Sequence, residues 1–106
     1  MSANVETISK LVESVHRYLQ IAFAEELYLY SQANGINFHE LRDALNTKWN
    51  VDVLEPLEVV GKSLLEEDTK KFLQQSKSTK GKILTAAIEA DEDYVAYMSG
   101  TLRNKI

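Results

Sequence analysis

Apolar residues recur at three- and four-residue steps along almost the whole chain. Ile8, Leu11, Val12, Val15, Leu19, Ala22, Phe23, Leu27 and Tyr30 hold that spacing, which is the period of one helix face. It predicts a long helix from Val5 to Ala33, stopped at Asn34-Gly35, where glycine suits the left-handed residue that closes a helix. Tyr18, Ile21, Tyr28 and Leu29 fall off that stripe. A helix apolar on more than one face is buried on more than one face. This one is therefore either the centre of a monomeric bundle or a surface shared with a second chain.

Asn37, with Glu40 three places on, reads as a capping pair that starts a short helix ending at Leu45. The segment from Asn46 to Gly61 holds the only proline, Pro56, and reads as an irregular connector with a short extended piece near Val51–Leu54. Trp49 is expected there as a hydrophobic plug. Ser63 and Glu66 form a second capping box, with Glu66, Glu67 and Asp68 placed to favour the positive end of a helix that runs to Gln75. After a linker at Ser76–Thr79, the residues Ile83, Leu84, Ala87, Ile88, Asp91, Tyr94, Val95 and Met98 trace a last amphipathic helix. Asp91 lies on its buried side and reads as a capped polar residue rather than a site. Ser99-Gly100 is expected to end that helix, leaving 99–106 as a frayed tail. The expectation is an all-α single domain over 1–106, with one long first helix and about three shorter ones.

Composition removes whole classes of function. The chain has 106 residues, no cysteine and a formal net charge of −4. Disulfides, thiolate chemistry and thiolate metal ligands are excluded together, and an acidic chain offers little to a phosphate backbone, so no nucleic acid is expected. No apolar run approaches ~20 residues and no signal-peptide pattern opens the chain, so a cytoplasmic protein with no membrane partner is expected. A Gly-x-Gly-x-x-Gly fingerprint is missing, and no nicotinamide cofactor is expected. His16 and His39 sit on different helices with no i, i+4 mate, and no Glu-x-x-His element faces the acids at Glu25-Glu26 and Glu66-Glu67-Asp68. Those acids read as a solvated face, and no metal is expected.

Lys10-Leu11-Val12-Glu13-Ser14, Ile21-Ala22-Phe23-Ala24-Glu25-Glu26-Leu27, Asn34-Gly35-Ile36-Asn37 and Ala44-Leu45-Asn46-Thr47-Lys48 occur in that order, followed by the stretch Leu54–Leu73. Together they resemble the central helical domain of the UDP-glucose/GDP-mannose dehydrogenase family. The resemblance implies a bundle similar to the C-terminal domain of 6-phosphogluconate dehydrogenase, and in the resembled family the equivalent long helix packs both within its subunit and across a dimer interface. In the family, a Gly-x-Gly-Gly-x-Cys loop carries the thiol nucleophile, with an aspartate four residues later. Aligned on Asp68, the cysteine position holds Leu64. The first and third glycines hold Val59 and Lys62, and Gly61 survives between them. Lys10 stands where a family lysine stabilises oxyanions, Ser14 where the family has asparagine, and Asp68 where an aspartate orients water. Lys10, Ser14, Gly61, Leu64 and Asp68 are thus vestigial family positions, and no catalytic residue is expected.

The departures gather at positions that enclose one cleft in the family, and the replacements favour a helix over a loop. That pattern suggests an engineered derivative of the central domain, non-catalytic, without small-molecule substrate, acting through protein contact. The partner would be a second copy or a designed protein. Tyr18, Val59, Val60 and Leu64 are the candidate anchors of such a surface, ringed by Lys62, Glu66 and Glu67. The other reading is a natural isolated dimerisation domain, inactive without its nucleotide-binding domains.

Overall fold

The computed structural model describes residues 2–56, 61–75 and 81–104. Four helices follow one another: α1 (Ser2–Ala33), α2 (Phe38–Leu45), α3 (Lys62–Gln75) and α4 (Lys82–Asn104). Among the described residues there is no strand. The long first helix is present and begins a turn earlier than Val5. It is the spine of the molecule, with α3 and α4 packed along it and α2 folded back on it.

Local chemistry explains most of the boundaries. α1 ends where Gly35 takes a positive φ of 67°, and the amide of Ile36 donates to the Ser31 carbonyl. Asn37 caps α2 as expected, its side chain accepting from the Glu40 amide at 3.0 Å. The connector after α2 is held by a pairing that spacing did not reveal. The Val53 amide donates to Asn46 Oδ1 at 2.7 Å, while the Val53 carbonyl accepts from Asn46 Nδ2 and Arg42 Nε. A backbone segment without a sheet thereby satisfies its polar groups.

Four expectations are corrected. Trp49 is no plug, being 96% exposed; Val53, Ala24 and Phe38 fill that part of the interior instead. α3 begins at Lys62, so Ser63 lies inside its first turn, which holds no acidic residue. Gly61, with φ of 79°, sets the entry angle, and Glu66 turns to Lys70 at 2.9 Å rather than back to a cap. Lastly, α4 runs through Ser99-Gly100 to Asn104, because Gly100 keeps a helical backbone and a lone glycine costs a helix only about 1 kcal/mol. In the fourth case Glu25, grouped with the solvated acids, is fully buried while Glu26 is exposed.

The interior divides along α1. Tyr18, Ala22 and Ala87 join Leu65 and Ile88 where α1, α3 and α4 meet. Nearer the end of α1, Tyr28 stands edge-on to Phe38 at 5.4 Å and to Tyr94 at 5.7 Å, arrangements that aromatic rings favour.

Candidate functional site

Between the first half of α1 and α3 lies an open cleft of about 400 Å³, whose lining includes Lys10, Leu11, Ser14, Asp68, Lys71 and Gln75. Asp68 of α3 is thus brought to Lys10 and Ser14, one turn apart on α1. Leu64 is not part of that lining and is 62% exposed. Gly61 is exposed at the entry to α3, and the expected anchors Val59 and Val60 lie outside the described residues. A lysine, an aspartate and small hydroxyls can bind polar groups here, but the cleft presents no thiol. Among the described residues, no group of three histidines or acids is placed to hold a metal ion, and no helix is long and apolar enough to cross a membrane.

The densest chemistry lies deeper, where α1, α3 and α4 meet. Lys62 Nζ donates to Glu25 Oε2 at 2.9 Å and to Asp91 Oδ1 at 2.8 Å. Tyr18 OH donates to Asp91 Oδ2 at 2.8 Å, and the Lys62 ammonium stands 5.6 Å from the centre of the Tyr94 ring. Among the described residues, buried Glu25 Oε1 and Tyr94 OH have no hydrogen-bond partner. Tyr18, expected as a surface anchor, is fully buried. Its ring closes the core and its hydroxyl is committed to Asp91, so it offers nothing to a partner.

One cation between two carboxyl groups leaves one negative charge too many, and a proton resolves it. Burial pushes the Glu25 carboxyl up to about 8, against the pull of Lys62 and with the support of Asp91. Burial also acts to raise Asp91, but the bond from Lys62, the neighbouring Glu25 carboxyl and the bond from Tyr18 outweigh it and hold Asp91 below its ordinary range. For Lys62, burial acts to lower its value, and the bonds to Asp91 and Glu25 reverse this and raise it. The Tyr18 phenol is raised first by burial and then by its bond to Asp91; Tyr94 is pushed by burial up to about 12. The arrangement fixes the start of α3 to both long helices. The sequence signal for Glu25 was its place seven residues after Tyr18, two turns along one helix face.

A third feature is apolar and exposed. Val5, Ile8, Val12, Phe23 and Tyr30 leave large parts of their side chains outside α1, Phe23 at 57% and Tyr30 at 56%. Phe23 also borders a shallow groove of about 210 Å³ with Ile83, Ala86 and Ala90 of α4. His16 is exposed on the same helix, and His39 Nδ1 lies 3.1 Å from Oε2 of buried Glu55.

The model of the UDP-glucose/GDP-mannose dehydrogenase family, central domain, matches residues 4–93. The match spans helices α1 to α3 and the first half of α4, which carry all three features, and the chain belongs to that family. No curated protein matches the chain, and no solved structure does.

Proposed function

We propose that this family member is non-catalytic and acts through protein–protein contact, by self-association along α1. The observation that carries the reading is the row of half-exposed apolar side chains on α1, Val5, Ile8, Val12, Phe23 and Tyr30. Exposed apolar residues gathered on one element mark an interaction surface. The non-catalytic half rests on Leu64, which at the nucleophile's position has no lone pair to attack a carbonyl. Support for a concerted replacement of the loop comes from the network. Lys62 stands at a family glycine, and its ammonium meets Glu25 of α1 and Asp91 of α4 within hydrogen-bond distance, which ties the start of α3 to both long helices.

Sedimentation at micromolar concentration is expected to show a dimer, and a strict monomer would overturn self-association. Incubation with UDP-glucose or GDP-mannose and NAD is expected to yield no NADH. Sustained turnover above a blank without protein would overturn the non-catalytic reading.

A further inference from the structure

Lys62 is the first residue of α3, and its ammonium closes over two carboxyl groups that belong to other helices, Glu25 of α1 and Asp91 of α4. Both acids are buried, Glu25 completely, while Lys62 keeps 28% of its side chain in solvent. The opening turn of α3 is thus the cover between the acids and water. Two carboxylates under one ammonium would seal a surplus negative charge in the interior. Glu25 Oε1 has no donor to meet that charge among the described residues. Burying an uncompensated charge costs more than keeping a proton, so the closed cover requires Glu25 to be a neutral acid.

The surroundings leave that proton to Glu25 alone. Besides the three charged partners, α1 turns Tyr18 and Tyr28 towards the cluster, α3 turns Glu66, α4 turns Tyr94, and the connector turns Glu55. The phenols of Tyr18 and Tyr94 are raised and stay neutral. Lys62 is raised and stays charged, and Asp91 is lowered and stays ionised. The cover is lightly held elsewhere, for α3 packs chiefly along α1 and touches α4 at few points. Gly61, just before Lys62, has a φ of 79° and open space around it, which gives the turn a place to pivot.

We propose that the first turn of α3 is a proton-gated cover, which lifts off α1 and α4 about Gly61 as Glu25 gives up its proton. Lifting also uncovers the Tyr18, Ala22 and Ala87 cluster against which Leu65 packs. In water the uncovered carboxyl returns to its ordinary value of 4.5 and releases the proton that the closed form keeps up to about pH 8. Lifting therefore becomes easier as pH rises between those values, by about tenfold per pH unit, and levels off above them.

Amide hydrogen exchange at pH 6 and pH 8, corrected for the intrinsic rate at each pH, reads the lifting directly. Protection of Leu65 to Thr69 is expected to lie below that of the centre of α1 and to fall at least about tenfold between the two conditions. The last turn of α3, Phe72 to Gln75, opens without uncovering Glu25 and is expected to keep its protection. Glu25→Gln and Asp91→Asn each leave one ammonium with at most one acid. Either variant, if its helical signal is intact, is expected to remove most of the fall. Protection of Leu65 to Thr69 equal to that of the centre of α1 at both pH values would mean that the turn opens only with the whole chain. Low protection that ignores pH would mean that it frays with Glu25 still covered. Either result would overturn the gated cover, and so would a fall that persists in both variants.

Discussion

Lys62 faces two buried carboxyl groups, and the proton kept by Glu25 makes that tolerable. The consequence is a pH dependence of definite sign. The ordinary value of a glutamate is 4.5 and Glu25 stands at about 8 in the fold. Between those values the folded chain holds a proton that the unfolded chain has released. Stability from this group is therefore fully present below pH 4.5 and is lost as pH rises towards 8. Asp91 acts in the opposite sense: its value is held below 3.8, so its contribution is lost as pH falls through that lower value. Urea midpoints measured from pH 5 to pH 8.5 are expected to fall, and Glu25→Gln should flatten the slope; an unchanged slope would place the proton elsewhere. Lys62→Met removes the one cation that the two acids share. Breaking a buried pair in this way costs about 3–5 kcal/mol, and Asp91→Asn added to it should recover part of the loss, since residues in one network are coupled. Tyr18→Ala is expected to cost about 3–5 kcal/mol as a loss of buried aromatic bulk. Leu64→Ala, at an exposed site, should change stability by no more than about 0.5 kcal/mol.

Within each helix the outcome turns on what its ends require. Gly81 precedes α4 with φ of 59°, and a methyl group added there would run into the Leu73 side chain. Gly100 lies inside α4 with open space around it. Thermal unfolding should therefore separate two chemically identical substitutions. Gly81→Ala is expected to destabilise by about 1–2 kcal/mol, the cost of a left-handed backbone for a residue with a Cβ. Gly100→Ala should stabilise by about 0.5–1 kcal/mol, as glycine does when replaced in a helix interior. Equal shifts for the two would contradict the described path of α4. The contrast also shows what was legible in the sequence. The apolar period announced four helices and the Asn37 cap, because both depend on residues within a turn or two of each other. The same local signals erred where a distant contact decided. Ser63-Glu66 has the composition of a cap, but Lys62 is drawn into the helix by acids on α1 and α4. Of the candidate site, the cleft residues Lys10, Ser14 and Asp68 were legible from the family motif. The network was not, since positions 25, 62 and 91 show no spacing that joins them. Trp49 looked like core only because large aromatic residues usually are.

At the scale of the molecule, a 32-residue first helix extends for about 48 Å at 1.5 Å per residue, and the whole chain measures 52 × 34 × 24 Å. α2, α3 and α4 gather on part of that length and girth, so one side of α1 keeps its apolar stripe in solvent. Covering the stripe with a second copy links folding to concentration, because a partner that binds only the folded chain stabilises it by mass action. Once association is saturated, each tenfold rise in protein concentration should add about 1.4 kcal/mol to the dimer relative to two unfolded chains. For a domain of this size that amounts to several degrees in Tm. Unfolding scans over a hundredfold concentration range are the measurement. The unsubstituted chain should show a rising Tm, while Phe23→Glu should show a lower Tm that no longer depends on concentration. If the two chains gave the same concentration-independent Tm, the stripe on α1 would be left uncovered in solution and the molecule would have to be stable as four helices alone.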